Sequence, residues 1–219
     1  MKAAIIIPAY NEAARISQVI KAALASNEAD EVIVVDDGST DGTADAAAEH
    51  LVKVVRRSRN VGKGGAMVAG MRGTDADVLV FIDADLTGLT GEHLDALIRP
   101  LREDPDLEMT AGRFVGGRVA TNLSQKLMPS INSQRAIRRT LLERVPDFKK
   151  SRYGVETLIN DYIKKTEAKT MAVKLDGVSQ VMKEEKNGLA KGAYQRARMY
   201  GDIIKHKSSQ SAKKNVPTK

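Results

Sequence analysis

Phe81-Ile82-Asp83-Ala84-Asp85-Leu86 is the stretch that decides the fold, because an apolar run ends there in two carboxylates one residue apart. The run that begins at Val78 is continuously apolar rather than alternating, which predicts a strand buried on both faces, as in a parallel sheet. Open α/β sheets bind ligands at the carboxyl ends of their strands. Asp83 and Asp85 are therefore predicted to emerge at a binding edge, on the same side of the extended chain.

Two carboxylates placed in this way suit Mg²⁺ or Mn²⁺, which commonly binds a few acidic side chains together with the phosphates of a substrate. Asp83 and Asp85 are the candidate metal ligands. An Asp-x-Asp pattern is also a common polar cap at the end of a strand, so the pattern alone leaves both interpretations open.

Two earlier strands are also followed by polar clusters. These clusters are Pro8–Glu12, after the apolar run Ala3–Ile7, and Asp36–Thr43, after the apolar run Val32–Val35. Pro8 is predicted to end its strand, and Asn11 is a candidate N-cap for the helix that follows. The acids and glycines of the second cluster predict a tight turn before a helix.

A glycine-rich segment, Asn60–Ala66, leads into a further predicted helix and contains Lys63. Backbone N–H groups at a helix N-terminus, together with a lysine, form a cradle for phosphate. The segment lacks the glycine spacing of a Walker A loop, and no Gly-x-Gly-x-x-Gly follows the first strand. Each of these elements alone is more often a turn or a cap than a binding site, but capping alone does not explain four polar clusters that follow strands in this order.

Together these motifs resemble those of family 2 glycosyltransferases with the GT-A fold, in correct order over about the first 120 residues. The motifs are Pro8–Glu12, Val35–Thr43, Asn60–Ala66 and Asp83–Asp85. Two later segments, Ser133–Arg139 and Tyr153–Glu156, resemble acceptor-side motifs of polyprenyl-phosphate sugar transferases. They are also similar to segments of glucosyl-3-phosphoglycerate synthases.

The resemblance implies a pocket for a nucleoside diphosphate sugar. Its residues would be Pro8, Tyr10, Glu12, Asp37, Lys63 and Asp83. Asp37 would accept from a base N–H or a ribose hydroxyl, and Tyr10 would pack on the base. Asp85 would hold the metal ion that stabilises the departing diphosphate. Asp83 would either bind the same ion directly or contact one of its ligands.

On the acceptor side, Arg113 and Arg135 are candidates for binding an anionic group, because guanidinium binds phosphate bidentately. A surface salt bridge is the alternative for both. Glu156 is a candidate catalytic base for a hydroxyl acceptor, whereas a phosphate acceptor is already ionised and needs only positioning. The plain alternative for Glu156 is an acid in the first turn of a helix, stabilised by the helix dipole.

Two features depart from the family pattern. Thr87 and Gly88 stand where polyprenyl-phosphate transferases often have a glutamine, and segment Leu175–Met182 has no histidine where phosphoglycerate-directed relatives tend to supply a third metal ligand. The third ligand is therefore absent, replaced by water or supplied by Gln180. No apolar run reaches the roughly 18–20 residues that span a bilayer.

The length of 219 residues fits one α/β domain. We expect a single GT-A domain at 1–206, with a nucleotide-sugar half at 1–120, an acceptor half at 121–206, and a basic disordered tail at 207–219. Strands are predicted near 3–7, 32–36, 51–56, 78–82, 108–112 and 171–175. Helices are predicted near 12–26, 41–49, 63–73, 91–103, 133–144, 154–167 and 187–206.

The formal charge of +7, concentrated from Arg113 onward, favours anionic partners such as a phosphorylated substrate or a membrane surface. Nucleic acid is not expected, because aromatic residues are few and no nucleic-acid-binding motif occurs. Zero cysteines exclude disulfides and thiolate zinc sites and fit a reducing compartment. We expect a cytoplasmic protein, with peripheral membrane contact and homo-oligomerisation as further hypotheses.

The function expected from the resemblance is an inverting transfer of a sugar from a nucleoside diphosphate sugar, with Mg²⁺ or Mn²⁺ as cofactor. The acceptor would be polyprenyl phosphate or a small phosphorylated molecule. The alternatives are a sugar-phosphate nucleotidyltransferase and a catalytically degenerate nucleotide-binding domain. The first would normally carry a glycine-rich loop directly after its first strand, where this chain has Pro8–Glu12.

Overall fold

A seven-stranded sheet forms the centre of the protein in a computed structural model that describes residues 1–116, 133–146, 148 and 154–180. The strands are β1 (Ala3–Ala9), β2 (Glu31–Asp36), β3 (Lys53–Arg56), β4 (Val78–Phe81), β5 (Leu86–Thr87), β6 (Met109–Val115), β7 (Arg135–Arg138), β8 (Thr170–Asp176) and β9 (Ser179–Gln180). The helices are α1 (Ile16–Leu24), α2 (Thr43–Ala48), α3 (Lys63–Arg72), α4 (Gly91–Glu103), α5 (Arg139–Arg144) and α6 (Val155–Thr166).

The strand order in the large sheet is β3-β2-β1-β4-β7-β6-β8. Strand β7 is antiparallel to both of its neighbours, and the other neighbouring strands are parallel. Strands β5 and β9 form a separate two-stranded antiparallel ladder. The predicted α/β class, with a mixed and mainly parallel sheet, is confirmed.

Two hydrophobic cores cover the two faces of the sheet, which is why β1 is apolar at every position from Ala3 to Ile7. Ile5 and Ile7 pack in the core that includes α1 and α4. Ile6, between them, packs on the opposite side with α3, α5 and α6. Because both faces are buried, the period of two that marks a half-exposed strand does not appear.

Residues 1–180 form one compact unit. Most of the predicted elements within it are confirmed, with bounds shifted by a few residues at their ends. The predicted helix 187–206 and the predicted tail 207–219 lie outside the described residues. The division into a donor half and an acceptor half stays a prediction.

The predicted helix 133–144 is wrong in its first half, where the chain forms β7. Arg135–Arg138 lies between β4 and β6 and pairs antiparallel with both. Ala136 packs in one core and Ile137 in the other, so successive residues point to opposite faces of the sheet. Pairing with two strands distant in sequence therefore outweighs the local helical pattern, which resumes only at Arg139.

The predicted end of the first strand and the start of the first helix are also wrong. Strand β1 continues through Pro8 to Ala9, because its pairing with β4 stops at Ile6 and a missing N–H on that side costs nothing. Asn11 is not a helix cap: it adopts a left-handed backbone conformation in a turn, and α1 begins only at Ile16.

Helix α3 lies close to the sheet at Gly70, where a Cβ atom would overlap the Ile6 side chain and press on Val35. We expect Gly70→Val to lower the free energy of unfolding by about 1–3 kcal/mol, because overpacking forces the helix away from β1. Urea denaturation of both proteins measures the difference. Gly70→Ala should fall between them, and a Val variant as stable as the parent would contradict this account of the packing.

Candidate functional site

The loops that follow β1 and β2 are joined by reciprocal hydrogen bonds at the carboxyl edge of the sheet. The Asn11 N–H donates to Ser39 Oγ over 2.9 Å, and the Thr40 N–H donates to Asn11 Oδ1 over 2.9 Å. Tyr10, beside this junction, is 47% exposed. The two predicted clusters therefore form one surface, with an aromatic ring at its rim.

Glu12 belongs to the same junction but is turned inward. Its side chain is buried and lies 3.4 Å from the guanidinium of Arg15, while its N–H donates to Thr43 Oγ1 over 2.8 Å. Glu12 thereby connects the segment before α1 with the first residue of α2. Its predicted contact with a nucleotide sugar stays a prediction.

Asp37 organises the segment that leads into α3. Its carboxylate accepts from the N–H groups of Val61 and Gly62 at 3.1 and 2.8 Å, and lies 3.5 Å from Arg57 Nε. Only 3% of the residue is exposed. Its predicted contact with a base or ribose is untested, and the geometry adds a structural role that the sequence did not indicate.

Lys63, the first residue of α3, reaches two acids from distant parts of the chain. Its Nζ lies 2.5 Å from Asp83 Oδ1 and 3.0 Å from Glu156 Oε1, and all three side chains are largely buried. The hydroxyl of Ser133 also donates to Glu156 Oε1, over 3.3 Å. Lysine was expected near phosphates, and its contact with both acids was not predicted.

Asp83 and Asp85 converge, as the sequence predicts. The amide Nε2 of Gln180 donates to Asp85 Oδ1 over 3.0 Å and to Asp83 Oδ2 over 3.3 Å, so a single group contacts both carboxylates. Gln134, which is buried, donates to Asp83 Oδ2 over 3.0 Å. The contact of Gln134 was missed by the sequence analysis, because it depends on β7 lying next to β4.

Gln180 arrives at this position through the β5–β9 ladder. Leu86, directly after the second aspartate, pairs with Gln180, and the hydroxyls of Thr87 and Ser179 lie 2.8 Å apart. Strands of two residues are too short to show a hydrophobic period, so this ladder could not be predicted from the sequence.

The two predicted acceptor arginines lie in different surroundings. Arg135 is only 2% exposed, and its Nη1 donates to Asn160 Oδ1 over 3.2 Å. Burial lowers the pKa of Arg135, against the opposing charges of Glu156 and Asp83. Arg113 is exposed on β6, so only Arg113 presents its side chain to solvent.

Charge neutralisation dominates the electrostatics of the Lys63–Glu156 pair. Burial disfavours ionised Glu156, but the charge of Lys63 outweighs burial and lowers the pKa of Glu156 from 4.5 to about 2. Burial likewise disfavours the ammonium, and the charges of Asp83 and Glu156 outweigh it and raise the pKa of Lys63. Both groups are therefore ionised at neutral pH.

The residues present fit a divalent cation. Among the described residues no group of three or more His, Cys, Asp or Glu side chains is arranged so that it could by itself hold a metal ion. The carboxylates of Asp83 and Asp85 would hold the ion, with an amide, water or phosphate oxygen completing its ligands, a set that Mg²⁺ accepts readily. Gln180 lies within contact of both carboxylates, which keeps it as one of the candidates for the third ligand.

A mixed, mainly parallel sheet with converging aspartates at its carboxyl edge defines the class of the protein: an α/β domain of the GT-A type. The chain belongs to glycosyl transferase family 2, whose sequence profile matches residues 4–162. The expected family and fold are thus confirmed. No helix within the described ranges has the length and apolarity needed to cross a membrane.

Two curated relatives act in lipid-linked sugar transfer according to their names. Dolichol-phosphate mannosyltransferase of Pyrococcus furiosus is 34% identical over 127 residues, which are 54% of this chain and 35% of that protein. Undecaprenyl-phosphate 4-deoxy-4-formamido-L-arabinose transferase of Sodalis glossinidius is 27% identical over 188 residues, 75% of this chain and 57% of that one. The chain thus spans between a third and three fifths of their length.

Among solved structures, glucosyl-3-phosphoglycerate synthase from Mycobacterium tuberculosis is similar in fold. Its complex with Mn²⁺, UDP and glucosyl-3-phosphoglycerate superposes with a TM-score of 0.68 at 30% identity, covering 82% of this chain and 72% of that one. Its complex with Mn²⁺, UDP and phosphoglyceric acid gives a TM-score of 0.76 at 26% identity, covering 99% and 80%.

Removing the carboxylate of Asp37 should loosen the segment before α3. We expect Asp37→Ala to lower the free energy of unfolding by about 1–3 kcal/mol, because two backbone N–H groups, that of Gly62 buried and that of Val61 partly buried, lose their acceptor. Hydrogen exchange at the amides of Val61 and Gly62 should accelerate before exchange in β1 does. Asp45→Asn, at an exposed acid of α2, is the control, and unchanged exchange at both amides would refute the role.

The depressed pKa of Glu156 predicts acid lability. A carboxylate whose pKa is lower in the folded protein stabilises it above the unfolded value of 4.5 and loses that contribution as the pH falls toward about 2. The melting temperature should therefore drop between about pH 5 and pH 2, and Glu156→Gln should flatten that drop. A variant with the same acid dependence as the parent would contradict the assignment.

Proposed function

We propose that this domain transfers a sugar from a nucleoside diphosphate sugar to a phosphorylated acceptor, with the help of Mg²⁺ or Mn²⁺. The observation that carries the proposal is the convergence of Asp83 and Asp85 at the carboxyl edge of the sheet, with Lys63 bound to the first of them. In a family 2 domain this edge is where a diphosphate would lie.

The chemistry asked of these residues is stabilisation of a leaving group. The bond between the anomeric carbon and the diphosphate oxygen breaks, and negative charge develops on the diphosphate. A bound divalent ion supplies Lewis-acid stabilisation of that charge. Asp85 and Asp83 would hold the ion, and the N-terminus of α3 adds backbone N–H groups that favour an anion.

The donor side has support from the solved relative, whose complexes contain UDP with Mn²⁺ or Mg²⁺. The exposed ring of Tyr10 provides a stacking surface for a base at the junction of the first two loops. UDP is therefore the first nucleotide to test. Contacts of Pro8, Glu12 and Asp37 with the nucleoside belong to the proposal.

A phosphorylated acceptor is supported by the relatives' names, which specify dolichol phosphate, undecaprenyl phosphate and phosphoglycerate. Arg113 is exposed on β6 and pairs in register with Lys174 of β8, which is also exposed, so two cations lie side by side. Polyprenyl phosphate is the first candidate and a small phosphorylated molecule the second. With a lipid acceptor the protein would contact a membrane surface.

The metal-dependent part of the proposal predicts the behaviour of Asp85→Asn. We expect UDP with Mn²⁺ to raise the melting temperature of the parent protein, because a ligand that binds only the folded state stabilises it. The variant should lose that shift and lose turnover of the UDP-sugar by about 100-fold or more, since a charge-stabilising group is removed. Asp45→Asn serves as the control.

A parent protein whose melting temperature does not respond to any nucleoside diphosphate, with or without Mn²⁺, would support a degenerate domain instead. The acceptor is tested by transfer of radiolabelled sugar to undecaprenyl phosphate in detergent micelles and, separately, to 3-phosphoglycerate. Hydrolysis of the UDP-sugar without transfer to either would contradict the acceptor part and leave the donor part standing.

A further inference from the structure

The Lys63 ammonium connects the donor side of the site to the acceptor side. On one side it contacts Asp83, directly after β4, and on the other it contacts Glu156, in the first turn of α6. The three groups are largely enclosed by protein. An isolated ammonium in such surroundings would be costly, so both carboxylates contribute to keeping Lys63 charged and in place.

Glu156 in turn takes part in this arrangement through one of its two carboxylate oxygens. Its Oε1 accepts from the ammonium over 3.0 Å and from the Ser133 hydroxyl over 3.3 Å. A general base takes up the proton that it removes, and at Glu156 that proton would cancel the charge paired with Lys63. Protonating this carboxylate would leave a buried Lys63 with one counter-ion fewer, which opposes proton uptake.

We propose that Glu156 is a positioning residue that holds the Lys63 ammonium beside Asp83, rather than a base that removes a proton from the acceptor. The inference rests on the proposed function for its catalytic consequences and on geometry for the pairing itself. Glu156 thus acts through Lys63, and the attacking oxygen of the acceptor is activated without it.

If Glu156 acts as the counter-charge of Lys63, a residue that replaces it must keep the negative charge. Aspartate keeps the charge and shortens the side chain by one methylene, and it should retain part of the function. Glutamine keeps the shape and a hydrogen-bond acceptor but removes the counter-charge, and it should behave like the loss of Lys63. A base would instead tolerate neither change.

A double-mutant cycle with Lys63→Met, Glu156→Gln and the double variant tests the proposal. Each single variant is expected to weaken binding of UDP with Mn²⁺ about tenfold by calorimetry, because the ammonium is lost or displaced. The double variant should bind no more weakly than Lys63→Met alone. Asp161→Asn, an exposed acid on the same helix, is the matched control and should bind as the parent does.

Rate measurements separate the two roles further. For a positioning residue, Glu156→Gln raises KM for the nucleotide sugar more than it lowers kcat, the acidic limb of the pH profile of kcat/KM stays in place, and Glu156→Asp recovers part of the loss. For a base, kcat falls by about 100-fold or more with UDP binding unchanged, and the losses at Lys63 and Glu156 multiply. The second pattern would overturn the proposal.

The pairing is also tested without any activity. The free energies of unfolding of the same four proteins should be non-additive, with the double variant less destabilised than the sum of the single variants, since it removes both charges of the pair. Additive values would overturn the proposal even if the protein is an active transferase. Non-additive values with no nucleotide binding by the parent would instead sink the proposed function and uphold the pairing.

Discussion

One buried positive charge, the ammonium of Lys63, is shared between Asp83 and Glu156, and the arrangement of the site depends on it. Bringing several carboxylates together at one edge of a sheet is unfavourable unless a cation compensates them. Lys63 provides that compensation from the start of α3, and Arg135 adds a second buried charge close by. Glu156 is therefore held ionised at neutral pH, because the charge of Lys63 lowers its pKa against the effect of burial.

The surrounding loops are fixed by contacts of their own. Asn11 joins the loops after β1 and β2, and Asp37 binds the backbone of the segment that ends at Lys63. Gly38 completes this packing: it has φ +79°, and a Cβ there would lie 2.7 Å from the Arg59 carbonyl carbon. The position of the ammonium is thus determined by a chain of contacts that starts at the second strand.

The parts that could be predicted from the sequence are those fixed by local signals. Continuous apolar runs identified the buried strands, and polar residues directly after them identified the edge where Asp37, Asp83 and Asp85 lie. Asp83 and Asp85 lie at the same edge because both directly follow β4, but the chain turns at Ala84 and Asp85, so the extended alternation on which the prediction rested does not hold there. The family motifs added residues such as Lys63, whose position at a helix start is also local.

The parts that could not be predicted depend on pairing between distant segments. Strand β7 forms because Arg135–Arg138 makes hydrogen bonds to the strands on either side of it, β4 and β6. The four residues themselves contain no pattern that indicates this pairing. The Lys63–Glu156 contact joins residues from α3 and α6, and no pattern within either helix indicates the other. Arg135 was predicted to bind the acceptor because a guanidinium binds phosphate. Its burial could not be predicted, because it too depends on the pairing of distant strands.

The β5–β9 ladder also determines the geometry of the edge at which Asp83 and Asp85 lie. Gly88, with φ +74°, lies so close to Gly177 that a Cβ on it would be 2.5 Å from the Gly177 carbonyl oxygen. A side chain at Gly88 would push β9 outward and carry the Gln180 amide away from both aspartates. A substitution at Gly88, which contacts neither aspartate, would therefore disturb the arrangement of both carboxylates from a distance.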